Sequence, residues 1–304
     1  MRKPPRHGRA APLRRGAPGP SSSPRGQSFW SIVVIVVLVA AWAGYRLFPW
    51  GPGDVRDDAL VAQGPLSVSS SSVVPPVAER GVPTPGIGEQ ATPIGLPPPV
   101  PAVGGSYTYL ETQVDASGQA VPIAWSPCRR IHVVVNPAGA PSDFADRVSA
   151  ALTLASVYSG LRFVVDGTTD EAPSTQRATF QPQRYGDQWA PVLIAMASAE
   201  QVPELAGDVV GVALTTGAVE PSVGLRVRVS GIIYVDLEVL DRPDIQGSPM
   251  YEAVLRHELG HMLGLGHVDD PSQLMNPTTT QSLYQVGDQT GLALLGARSC
   301  APGV

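Results

Sequence analysis

His257-Glu258-Leu259-Gly260-His261-Met262-Leu263-Gly264-Leu265-Gly266-His267 gathers three of the chain's five histidines into eleven residues. His257 and His261 stand four apart, so on an α-helix they leave one face about one turn apart, as two ligands of a single tetrahedral metal ion must. Glu258, beside them, is a carboxylate placed to take a proton from a water on that metal, whose pKa zinc lowers from about 15.7 toward roughly 7. Gly264 lets the helix stop in a left-handed turn, and the next three residues bring His267 back as a third ligand. The fourth position is left for water or a substrate carbonyl, which distinguishes a catalytic zinc site from a structural one. The bland alternative is an amphipathic helix that carries surface histidines. Five specified positions of these residue types match by chance on the order of once in ten thousand such chains.

The residues before the run support a packed helix. Ser248-Pro249 reads as an N-cap followed by proline at the first helical position, and Met250, Tyr251, Val254, Leu255, Leu259, Met262 and Leu263 recur at roughly helical period. Glu252 and Arg256, on the same turns, read as solvated surface charges.

HELGHMLGLGH resembles the extended zinc signature of the metzincin clan of metallopeptidases. Leu274-Met275-Asn276-Pro277, its methionine eight residues past His267, resembles that clan's Met-turn, and the spacing is most similar to matrixins. Val286 to Gly296 is similar to the C-terminal matrixin helix. The resemblance implies one catalytic zinc on His257, His261 and His267, with Glu258 as general base and then acid. It also implies a structural role for Met275 beneath the histidines, and peptide-bond hydrolysis without a covalent intermediate. Structural calcium stays open. Val268 stands where animal matrixins commonly have serine, and Asn276 replaces the usual tyrosine, so substrate preference does not carry over.

Upstream of this site the pattern is mixed α and β. Ile131 to Val135 reads as a strand, Ser142 to Tyr158 as a helix with Ser142 as N-cap, and Leu161 to Val165 as a second strand. Val192 to Ala197, Val209 to Thr215 and Gly231 to Leu237 are further strands. His132, within the first strand, reads as structural because three ligands are already assigned. Asp166 to Gln188 is polar and irregular and has no assigned element, nor any persuasive calcium-ligand spacing. The order is similar to the matrixin catalytic domain, which implies the fold class: α+β, with a twisted, mixed and mostly parallel five-stranded sheet, an active-site helix and a C-terminal helix. By the same resemblance Val209 to Thr215 is the edge strand that pairs with an extended peptide substrate.

Composition sets this domain in a wider plan. With 304 residues, 32 of them proline and 32 glycine, the chain has length for two domains, yet residues 49–104 take a large share of the proline and show neither helical nor strand periodicity. They read as an extended, disordered linker, which leaves 105–304 as one catalytic domain. Residues 1–28 carry Arg2, Lys3, Arg6, Arg9, Arg14, Arg15 and Arg25 with no acid, and an apolar run from Phe29 to Tyr45 follows. By the positive-inside rule the basic tail is cytoplasmic, 29–48 is a single-pass anchor and the domain is extracellular. Trp30 and Trp50 would flank the bilayer core about 30 Å apart on a helix. Ala41-Trp42-Ala43 also fits a signal-peptidase site, which would make the protein secreted.

Of the net charge of −5, the basic tail contributes seven positive charges, so −12 falls on the rest. A basic head and an acidic exterior domain argue against nucleic acid as a partner, and the basic arm is better explained by topology and anionic lipid than by a nucleic-acid-binding tail. The expected partners are a peptide or protein substrate and the membrane, and the chain is expected to be monomeric. Cys128 and Cys300 are the only cysteines. In an oxidising compartment they suggest one disulfide, worth about 4 kcal/mol in the chain-entropy model. The alternative, by resemblance, is Cys128 as a latency ligand on zinc, but Ser126-Pro127-Cys128-Arg129-Arg130 lacks the rest of that motif. Two functional rivals stand beside the peptidase: a non-catalytic zinc-stabilised surface-binding module, and a zinc hydrolase of a non-peptide amide. Glu258 argues against the first, since structural zinc has no need of that carboxylate.

Overall fold

The computed structural model describes residues 81–304. The tail at 1–28, the anchor at 29–48 and the first part of the linker lie outside the described residues. Among the described residues no helix is long and apolar enough to cross a membrane.

Five strands form the main sheet in the order β5-β4-β6-β8-β7: β4 is Ile131–Asn136, β5 Phe163–Thr168, β6 Val192–Ala197, β7 Gly211–Glu220 and β8 Leu225–Asp236. Pairings β4–β5, β4–β6 and β6–β8 are parallel, and β7 turns back antiparallel on β8. The mostly parallel five-stranded sheet expected from the sequence is therefore present. β6 is buried at every position, so it reads as an unbroken apolar run, as a central strand covered on both faces must. Two small sheets, missed by periodicity because each strand is only two or three residues long, complete the β structure. β1 (Thr108–Tyr109) pairs with β9 (Leu265–Gly266), and β2 (Thr112–Val114) with β3 (Ala120–Pro122), all antiparallel.

Three helices cover one face: α1 (Phe144–Ser159), α3 (Met250–Leu263) and α4 (Val286–Gly296). Their apolar sides, among them Phe144, Val148, Leu152, Leu255, Leu259 and Leu295, close on Val133, Ile194 and Ile233 of the sheet. The other face, with Leu193, Val212, Ile232 and Tyr234, has its own cluster that includes Val202, Leu205 and Val209. The segment after β5, which carries the short helix α2 (Pro182–Tyr185), lies against that face. Tyr234 hydroxyl donates to Ser174 O at 3.0 Å, and the Glu171 carboxylate collects Arg177 twice, Gln181 and Tyr185 hydroxyl at 2.6–2.9 Å. Asp166 to Thr168, read from the sequence as irregular, complete β5, and the rest of the segment to Gln188 has no periodicity because one carboxylate and one phenol organise it.

Three sequence expectations are corrected. α1 begins at Phe144 behind Asp143, not behind Ser142, and Asp143 spends its carboxylate on Arg147 at 2.8 Å instead of on the helix end. α3 begins at Met250, with Pro249 and not Ser248 at the cap. Glu252 and Arg256 are not solvated: Glu252 is 5 % exposed and lies between Arg147 of α1 at 2.7 Å and Arg256 at 2.6 Å. The partner from α1 lies 105 residues away, so helical spacing gave no sign of it.

Residues 81–104, read from the sequence as part of a disordered linker, carry no helix or strand and are fastened to the domain. Thr84 donates through N and Oγ1 to Asp187, Gln90 N donates to Cys128 O at 2.8 Å, and Ile94 N donates to Pro127 O at 3.0 Å. Glu89, its side chain 2 % exposed, takes Ser126 hydroxyl at 2.5 Å and Ala301 N at 2.7 Å, and pairs with Arg129 at 3.1 Å. Cys128 is bonded to Cys300 at the same corner, which removes it from any role as a ligand at the histidines. Substituting Glu89→Ala would strand Arg129 without its buried acid and should cost about 3 kcal/mol. That loss should appear as a lower denaturant midpoint at unchanged m-value.

Candidate metal centre

α3 carries His257, Glu258 and His261, all buried, and ends at Gly264, whose φ of +125° only glycine adopts without strain. β9 then leads to His267. The three Nε2 atoms form a triangle with sides of 3.1 Å. His257 Nδ1 faces Leu274 O at 2.7 Å and His261 Nδ1 faces Leu265 O at 2.8 Å. Carbonyls accept, so each Nδ1 carries the proton and each Nε2 turns a lone pair inward. Such a triangle of lone pairs is repulsive by itself and suited to one cation with bonds of about 2.0–2.1 Å. The donor set therefore fits a zinc ion, and the two carbonyls supply the outer contacts that fix ligand tautomer and ring orientation.

Burial reinforces this. It pushes His257 down to about 3, aided by the neighbouring His267 and opposed by the Leu274 carbonyl. It also carries His261 well below its ordinary value and lowers His267. All three stay neutral at pH 7 with lone pairs free. Glu258 is buried with neither carboxylate oxygen hydrogen-bonded, and burial alone raises it to about 8. It is not one of the side chains that could share an ion with the histidines.

The remaining sequence candidates take these places. Met275 lies under α3: a Cβ on Gly260 would stand 2.5 Å from its sulfur. His132 sits in β4, paired with Asp166 at 2.9 Å and outside the triad. The second group able to meet around one ion among the described residues is Glu89 with Cys128 and Cys300, whose sulfurs are bonded to each other. β7 ends the sheet on the α3 side, and a Cβ on Gly211 would come within 2.7 Å of the Glu258 side chain.

Asp288 was missed. Buried in α4, it accepts from Leu274 N and Gln285 N at 2.8 Å and from Met275 N at 3.3 Å, and so fixes the peptide whose carbonyl orients His257. Its only sequence signal is Gln285-x-x-Asp288 ahead of an apolar run, the pattern of a capping box. Asn276, at the position where matrixins usually have tyrosine, donates to Val268 O at 3.0 Å and so ties the Met275 segment to the residue after the third histidine.

A family model described as Matrixin matches residues 229–291, from the second half of β8 through the histidines and Met275 into α4. The stretch that holds the histidines and Met275 is thus similar to the matrixin family. Among curated proteins none matches. Among solved structures the domain is similar to an archaemetzincin from Methanopyrus kandleri, at 19 % identity over 54 % of this chain and 93 % of that one, with a TM-score of 0.35. It is also similar to a zinc-dependent peptidase from Methanocorpusculum labreanum, at 16 % identity over 53 % and 92 %, with a TM-score of 0.23.

The metal-free domain should show a characteristic stability profile. The histidines are depressed in the fold, so below their ordinary 6.5 the unfolded chain binds more protons and stability falls with falling pH. Glu258 is raised, so between its ordinary 4.5 and about 8 the folded state holds the extra proton and stability falls with rising pH. Three groups oppose one between 4.5 and 6.5. These four groups therefore place the optimum near pH 6.5, with losses on both sides, as denaturant midpoints measured in chelator would record.

Proposed function

We propose that the domain is a zinc-dependent endopeptidase that cleaves extracellular proteins, with His257, His261 and His267 as the ligands and Glu258 as the proton carrier. The observation that carries this reading is the convergence of three neutral imidazole lone pairs 3.1 Å apart beside a buried carboxylate with no hydrogen-bond partner. When bound, a zinc ion would supply Lewis acidity to a water and to the scissile carbonyl.

The chain's own groups do the rest. Glu258, with a proton affinity raised by burial, accepts a proton at a carboxylate oxygen and returns it to the leaving nitrogen, and a pKa near the working pH suits both transfers. The buried α3 keeps bulk water from that carboxylate. The outer edge of β7 offers unpaired main-chain groups to an extended peptide, and Gly211 brings that edge against Glu258. A binding module stabilised by zinc would leave the buried, unpaired Glu258 without a purpose, which favours the peptidase.

The location proposed is the cell exterior, tethered by residues 29–48 or released by cleavage near Ala41-Trp42-Ala43. The basic head before an apolar run supports it, as does the Cys128–Cys300 disulfide, a bond that persists in oxidising compartments.

Glu258→Gln should bind zinc as the parent does and lose hydrolysis of a peptide library by at least about a hundredfold. A chelator should abolish the parent's activity and added zinc restore it. Cleavage by Glu258→Gln at the parental rate would remove the assigned role.

A further inference from the structure

Carbonyls aim the rings of the two helical histidines, whereas among the described residues nothing hydrogen-bonds Nδ1 of His267. Its main chain is fixed instead, on two sides. Downstream, Val268 N donates to Met275 O at 3.1 Å. Upstream, β1 lies antiparallel on β9, with Thr108 opposite Gly266 and Tyr109 opposite Leu265. Leu110 N donates to Gly264 O at 2.8 Å, and Thr108 Oγ1 donates to His267 O at 2.9 Å from 159 residues earlier in the chain.

Three glycines are shaped to this strand and to the residues that lead into it. A Cβ on Gly266 would stand 2.6 Å from Thr108 Oγ1 and 3.1 Å from Tyr109 O. On α4, a Cβ on Gly291 would stand 3.2 Å from Tyr107 Cβ, and one on Gly287 would run into Ser106 O. None of the three has a left-handed φ, so space and not backbone conformation requires glycine there. Residues 105–107 occupy the groove that Gly287 and Gly291 leave, and so deliver Thr108 to the third histidine.

We infer that β1, acting through Thr108, is the positioning element of the third metal ligand, so that metal affinity depends on a strand outside the main sheet. This rests on the zinc reading of the triad. Thr108 and Gly266 are positioning residues: they act on His267 through its backbone.

The test uses the full chain, stripped by chelator and titrated with Zn2+ against a chromophoric competitor, with Co2+ substitution to record the ligand field. T108V keeps the side-chain shape and removes the hydroxyl, and should weaken zinc binding about three- to tenfold. T108S should restore the parental affinity, which a purely steric role would not require. G266A, whose methyl wedges β1 from β9, should weaken binding by roughly ten- to a hundredfold and change the Co2+ spectrum. Thr108 is exposed, so metal-free T108V should stay folded with at most a small fall in melting temperature, and T108A is a second variant with the same expectation. Parental affinity and spectrum in both T108V and T108A overturn the inference. Should the parent bind no zinc, or H267A bind it as tightly as the parent, the zinc reading itself fails and the inference falls with it.

Discussion

Two carbonyl oxygens, Leu274 O on His257 and Leu265 O on His261, carry the constraint on which the rest of the site depends. They decide which ring nitrogen keeps its proton, and therefore that two lone pairs point at the same spot. Neither carbonyl belongs to a regular position in α3. Leu265 lies just past the Gly264 stop, and Leu274 belongs to the Met275 turn. The helix must therefore end where it does, and the turn must be held beneath it. Asp288 holds the turn through Leu274 N and Met275 N, and the missing side chain at Gly260 admits the Met275 sulfur.

Burial sets the electrostatics of the same region in opposite senses. The histidines are kept neutral and Glu258 is kept protonated near neutrality, so the metal-free centre carries little charge. Neutral imidazoles are the form of the side chain that binds a cation, and burial enforces that form. Charge is pushed to the margins, where Glu252 is shared by Arg147 and Arg256 at the start of α3.

Much of this was legible in the sequence, for identifiable reasons. The histidine spacing encodes helical geometry directly, the unbroken apolar run of Val192 to Ala197 encodes a strand covered on both faces, and the span Val286 to Gly296 matches α4. What stayed hidden depends on partners far away in the chain. Arg147 turns Glu252 from a surface charge into a buried one. Thr108 gives Gly266 its meaning, and Glu171 organises a segment with no period. The proline-rich stretch after residue 81 has no pattern of its own because its order comes from Glu89 and main-chain bonds to the corner it wraps. The helix starts shifted by one residue because Asp143 is drawn to Arg147 and no side chain caps α3.

The corner built by Glu89, Arg129 and the Cys128–Cys300 bond also has a mechanical meaning. Gly86 N meets Val304 O there, and the chain runs on from it past Pro127 toward α4 before it reaches the third histidine. A pull applied at residue 81 would load the Thr84–Asp187 hydrogen bonds and then this corner. The hydrogen bonds of β1 lie further along the same strand of chain and would bear force only after the corner had yielded. Tension entering at residue 81 would thus be borne there before it reached the three histidines.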